Sequence, residues 1–257
     1  MAYAVELLKQ LRTNHDKVIH DLQTLMFEGL KHSEPLGSEE AKRQLRHGVG
    51  RRLGVMKKSV EQIFTLFPPA QQTPLQSEVL MEVQIYLHAF VINLSGIFDN
   101  WAWAFLFRHG LNERIDKRNV SLFKKETQRL LPASLSDYLS SQDISTWHEK
   151  YLKNYRDSLA HRIPLYIPPA QYTDDDAKRY QELERQKIEC IRQGEWDRLD
   201  AVWAEQDSVG RSCPLFMHEF SDEERSRPLL LHPQILSDGM TVTEFGNRYY
   251  AAWHEHA

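Results

Sequence analysis

WHEKYLKNYRDSLAHRIPLYIPP, residues 147 to 169, joins helical periodicity, a charge cluster and a proline stop in one run. Trp147, Tyr151, Tyr155 and Leu159 recur every four residues and, with Leu152, make one apolar stripe of an amphipathic helix. Pro164 ends that helix. A proline drives the residue before it out of the α region, so Ile163 is expected to be extended, with Arg162 near the last helical position and His161 in the final turn. Upstream, Asp143 or Ser145 is the expected cap; downstream, IPLYIPP reads as extended and proline-locked.

Outward from this stretch the chain is read as mainly α. Residues 75 to 109 form a long helix in which Leu80, Val83, Leu87, Phe90, Leu94, Phe98, Trp101 and Phe105 fall three and four apart. It is apolar nearly all round, so burial on most sides is expected. Its length alone would allow a membrane span, but Asp99 lies among Gln84, His88, Asn93, Ser95 and Asn100. A charge at the centre of a membrane helix costs roughly 2.5 to 3.5 kcal/mol on insertion scales, so the stretch reads as the central helix of a bundle. Asp99 needs a partner, either in an internal polar network or at the motif helix.

Before it come a helix over residues 3 to 31, with His15 beside its stripe as a packing residue, and a second over 39 to 66 that Ser38 starts. That second helix carries Lys42, Arg43, Arg46, Arg51, Arg52, Lys57 and Lys58, with no acidic residue from Ala41 to Val60. It reads either as a solvated face or as a phosphate-binding surface, the latter resting on Arg46, Arg51, Arg52, Lys57 and Lys58. Gly48, Gly50 and Gly54 lack dinucleotide spacing and no strand precedes them, which excludes a Rossmann or P-loop site. PPAQQTP, 68 to 74, is a loop from which Pro74 can open the next helix.

Between the long helix and the motif helix, Gly110 is a stop, VSLFKKETQRLL a helix ended by Pro132, and SLSDYL one turn or two. After the motif, Thr173 with Asp174 to Asp176 caps a helix to about Arg192. Gly194 breaks it, and Glu195 to Asp207 makes the second arm of a charged helical hairpin. CPLFMHEF and PLLLHPQIL read as extended. Thr241 and Glu244 fit a capping box for a last helix ending near Trp253. The division is thus a helical bundle over 1–170 and, over 171–257, a helical hairpin with a small extended C-terminal segment packed on it.

Lys and Arg number 32 against 36 Asp and Glu, a net charge of −4, so any RNA site must be a local patch rather than a basic coat. Cys190 and Cys213 have neither CxxC nor zinc-ligand spacing, which fits a reducing cytoplasm. Glu6, Lys9 and Arg12 interrupt the first apolar residues, so no secretory signal is read there. HExxH and GxSxG are absent, and His254 and His256 are too few and too terminal for a metal site; no cofactor is expected.

Between the stripe residues stand Arg156, Asp157, three more residues, then His161. This resembles the motif of the HEPN superfamily: Arg, a polar residue, three or four residues, then His, late in a helix of an all-α bundle. The resemblance covers about 20 residues. It implies a metal-independent endoribonuclease of toxin or defence type, in which the RNA 2′-hydroxyl attacks its own phosphate, with Arg156, Asp157 and His161 at the site. It also assigns polar support from the preceding helix to Asp99 or Asn100. His161 is suited to proton transfer near neutral pH and Arg156 to holding phosphate through its forked donors. Five positions along an ideal helix turn about 140° between Arg156 and His161, whereas Asp157 and His161 share a face. A tight Arg–His pair therefore needs a bent helix end or two motif helices, and HEPN proteins typically pair two copies; a homodimer is expected. The alternative is a non-catalytic helical module binding a nucleotide, RNA or a protein such as an antitoxin or regulator. No membrane partner is expected.

Overall fold

Apolar residues three and four apart make Val5–Ser33 into α1, whose inner side carries Leu11, Val18, Leu22 and Leu25. A computed structural model of the chain describes residues 3–218 and 228–254. Ser38 accepts from the Ala41 amide at 3.1 Å and starts α2, Glu39–Arg43. The helix runs on through a π segment, Gln44–Val49, into α3, Gly50–Leu66. The expected helix over 39 to 66 is therefore present, with one wide turn inside it. After the loop comes α4, Ser77–Arg108, which begins three residues beyond Pro74 rather than at it. α4 packs along α3 and under α2, and α1 lies against α3.

α4 is the core helix, with Phe90, Phe98, Trp101 and Phe105 fully enclosed. Among the described residues it is the one helix long and apolar enough, by length and composition, to cross a membrane. The expectation of burial on most sides holds only for its second half. Met81 and Ile85, in its N-terminal turns, are each 57% exposed.

Gly110, at φ +64°, ends the excursion of the chain beyond α4. VSLFKKETQRLL does not form the expected helix; only α5, Lys125–Gln128, is helical. Side chains there take over the backbone: Thr127 Oγ1 accepts from the Ser121 amide (3.1 Å) and donates to the Asn119 carbonyl (2.8 Å). Gln128 Nε2 donates to the Leu122 carbonyl at 2.9 Å, so residues 119 to 122 are held as turns. α6 is Ala133–Ser140, two turns of SLSDYL and its flanks. The motif helix then runs as α7, Gln142–Trp147, a second π segment, His148–Leu152, and α8, Lys153–His161. It starts after Ser141, so Asp143 and Ser145 lie inside its first turns and neither caps it. α8 ends at His161, and Arg162 is already extended, one residue before the Ile163 that Pro164 restricts.

Residues 163 to 171 are extended and pair antiparallel at Tyr166 with Met217 and at Gln171 with Arg211. The hairpin follows as α9, Asp174–Gln193, and α10, Trp196–Asp207, with the expected box between Thr173 and Asp176 and with Gly194 left-handed at φ +74°. Its own small core is Leu183, Cys190, Leu199 and Val202, separate from the bundle core. Ser77 pins it to the start of α4, donating its amide and hydroxyl to Asp207 at 3.2 and 2.9 Å.

Leu215–Phe216 (β1) and Leu229–Leu230 (β2) form the small antiparallel hairpin, Leu215 opposite Leu230. Glu219 and Phe220 of CPLFMHEF lie outside the described residues. The extended reading of PLLLHPQIL fails beyond Leu230: α11, Leu231–Ala251, begins there, ten residues before Thr241. Pro233 is tolerated in the first turn of α11, where a proline lacks only an amide that would be unpaired anyway. Thr241 is mid-helix, donating its hydroxyl to the Ser237 carbonyl at 3.0 Å, so it caps nothing. α11 packs along α1, and the main core runs from Tyr3 to Trp253 across residue 170. Gly239 and Gly246 allow this approach: a Cβ there would fall 2.7 Å from Val18 and 2.6 Å from Leu25.

Candidate functional site

The apolar stripe of the motif helix faces inward, and two of its members meet a polar group at their tips. Trp147 Nε1 and Tyr151 Oη donate to the two carboxylate oxygens of Asp238 at 2.9 and 2.5 Å, and Gln234 Nε2 adds a third bond at 3.0 Å. Asp238 is wholly buried on α11, and burial raises its carboxyl to about 6 against the pull of those three donors. Trp147 immediately precedes the second π segment and Tyr151 lies within it, so this carboxylate holds the widened turn against α11. Tyr155 packs edge-on to Phe216 and His218.

The neighbouring face carries the motif. Arg156 Nη1 donates to Asp157 Oδ1 at 2.7 Å, with both side chains half-buried. Across from them on α4 sits Asp99, also half-buried. Burial raises its carboxyl pKa, opposed by a hydrogen bond from Ser121 and by the positive charges of Arg156, Arg52 and Lys124. Asp99 thus faces the motif helix, while also touching a network that reaches α3. His148 stacks flat on Phe123, ring centroids 3.7 Å apart. Burial, then Lys153 and Arg156, push its imidazole down to about 4, with Asp157 opposing, so it is neutral at pH 7.

His161 stands apart from this cluster. It is exposed at the last position of α8, and none of the side-chain hydrogen bonds or ion pairs among the described residues involves it. Arg156 and Asp157 are joined within one chain; His161 is joined to neither.

Asn100 turns the other way. It accepts from Arg52 Nε at 2.7 Å and donates to Gln44 Oε1 at 2.7 Å, while Arg52 Nη1 donates to Asn93 at 3.2 Å. Gly96 makes room for this, since a Cβ there would overlap the Arg52 guanidinium. Arg52 is consequently a structural cation between α3 and α4, its pKa lowered by burial and held up by Asp99. Acidic residues just outside the basic stretch compensate much of it: Lys42 pairs with Glu39 and Lys57 with Glu61, each at 2.7 Å, and Arg46 with Glu34 at 2.5 Å. Arg51 and Lys58 are exposed, with no such pairing among the described residues. With Arg43, which is likewise exposed and unpaired among the described residues, they are what remains of a free basic surface on this helix.

His148, Ser121 and Lys124 belong to the cluster and were not singled out in the sequence. The signal for His148 is faint. It lies eight residues before Arg156, and only the wide π turn between them sets how their faces align. Among the described residues no group of three or more His, Cys, Asp or Glu could hold a metal ion. His254 contacts Arg108 at 3.0 Å, and His256 lies outside the described residues. Comparisons with protein-family models, with curated proteins and with solved structures find no match in any of the three.

Proposed function

We propose that the chain is a HEPN-like, metal-independent endoribonuclease whose reacting groups are Arg156 and His161, with Asp157 and Asp99 as positioning residues. The observation that carries this reading is the motif helix itself: Arg156 is held by Asp157 beside the buried carboxyl of Asp99, and His161 is left exposed one turn on. In the reaction the 2′-hydroxyl oxygen forms a bond to the adjacent phosphorus while the bond to the 5′-oxygen breaks. The 2′-hydroxyl proton is removed and the leaving oxygen gains one, giving a 2′,3′-cyclic phosphate and a 5′-hydroxyl end. His161 is the group suited to these proton transfers, and Arg156 meets the charge on the phosphoryl oxygens. Because the His161 side chain makes no hydrogen bond or ion pair with Arg156 or Asp157 in its own chain, the working site is composite, built where two motif helices meet.

The test is cleavage of single-stranded RNA by the purified chain. Activity should survive a chelator, spare DNA of the same sequence, and drop about 100-fold to 1,000-fold in His161→Ala and in Arg156→Ala. Cleavage that persists in His161→Ala, or that a chelator abolishes, overturns the mechanism. The separation of His161 from Arg156 also favours a second reading, a non-catalytic binding module. RNA binding lost in Arg156→Ala, with no cleavage under any condition, would select it.

A further inference from the structure

The α9–α10 hairpin stands off the bundle and leaves large apolar side chains uncovered. Trp196 is 62% exposed, Ile191 53%, Trp203 49% and Ile188 45%, in an arm whose own core has four buried residues. Along α10, Trp196, Asp200, Trp203 and Asp207 follow at steps of four, three and four, so aromatic and acidic groups alternate on one stripe. On α9, Ile191 lies three residues from Ile188 and four from Lys187, next to each on the helix surface. Lys187 lies over the Trp203 ring at 5.0 Å, which brings the two faces to the same side of the hairpin. Where this side meets the start of α4, Glu78, Asp200, Trp203 and Asp207 line a cavity of about 350 Å³.

The charge on this arm has a definite sign. Residues 174 to 207 hold eleven acidic side chains against six basic ones. Indole faces attract cations, and Lys187 already occupies such a position on Trp203. A surface of uncovered Trp and Ile bordered by carboxylates is complementary to a helix that presents leucines and lysines or arginines on one face.

We propose that this side of the α9–α10 hairpin is a docking surface for a cationic amphipathic helix of a partner protein, with Trp196 and Trp203 as anchors and Glu78 and Asp200 as charge partners. This stands independently of the nuclease reading, because no residue of the Arg156 cluster takes part in it.

The probe is a synthetic fluorescein-labelled peptide of about 18 residues with lysine and leucine at helical spacing, titrated with the full-length chain and followed by anisotropy. A glutamate-for-lysine version and a neutral glutamine-for-lysine version are the controls. The lysine peptide should bind and the controls bind at least about tenfold more weakly. Trp196→Ser with Trp203→Ser should weaken binding by about tenfold or more. Asp200→Asn with Glu78→Gln should weaken it and flatten its salt dependence. All four side chains are exposed, so circular dichroism of the variants should match the parent. Equal binding of the glutamine peptide, or lysine-peptide affinity unchanged in both double variants, overturns the proposal. So does a hairpin side that is covered by self-association, seen as a sedimenting dimer that Trp196→Ser with Trp203→Ser converts to monomer.

Discussion

Asp238 is the residue on which the placement of the motif helix rests. A carboxylate wholly removed from water is tolerated only when its oxygens are satisfied, and here Trp147, Tyr151 and Gln234 supply three donors. Its folded pKa of about 6 lies above the ordinary carboxyl value of 3.8. The folded state therefore binds the proton more tightly than the unfolded chain, so this group's contribution to stability is full below about pH 3.8. It is lost as pH rises through about 6, and no further change follows above that. The magnitude is on the order of 3 kcal/mol. Chemical denaturation of the parent and of Asp238→Asn across pH 4 to 7 should give curves that diverge over this interval, with the parent losing stability relative to the variant as pH rises. Parallel curves would show that Asp238 does not titrate there. A shift in motif-helix fluorescence through Trp147 over the same interval would report the same event.

At the scale of the element, the basic second helix shows how a run of like charge is divided by its neighbours. Arg46, Lys42 and Lys57 each have a carboxylate partner, and Arg52 is tied to Asn93 and Asn100. Phosphate contact is thereby left to Arg43, Arg51 and Lys58. Arg51→Glu with Lys58→Glu should weaken RNA binding and reduce the slope of log affinity against log salt by about one unit for each cation removed. The double variant of paired residues, Arg46→Gln with Lys57→Gln, should change the slope less. Equal effects in the two pairs, measured by filter binding at several salt concentrations, would return the whole helix to the role of a solvated face.

For the whole molecule, the exposed His161 and the inward-held Arg156 require two chains to meet if both act on one phosphate. A two-fold homodimer with the α7–α8 segments near its axis is expected, and each interface patch would then contact its own copy. Sedimentation at micromolar concentration checks it: a monomer under conditions where RNA is cleaved would exclude the composite site. Mixing His161→Ala with Arg156→Ala chains is the sharper measurement, since a shared site should regain activity in the mixed dimer while a self-contained site should not.

Most helices were legible in the amino-acid sequence because their apolar spacing, caps and stops are local. Trp147 to Leu159, the Thr173 box, Gly110, Gly194 and Pro164 each act within a few residues of themselves, and so the mainly α architecture and the order of its helices could be read directly. Periodicity misses side chains that bind nearby backbone. Thr127 and Gln128 unwind the expected helix by binding the backbone of residues 119 to 122, and PLLLHPQIL, read as extended, enters α11 at Leu231. The motif itself was visible as Arg156, Asp157 and His161, but not the company it keeps. Asp99 and Ser121 come from separate segments, His148 is placed by a π turn, and Asn100 is drawn away to Gln44 and Arg52. Local periodicity determined which segments are helical, since hydrogen bonds within a helix span only four residues. Tertiary packing alone decided which polar groups are buried together, because the cost of burying a charge is met only by partners that the fold brings from far along the chain.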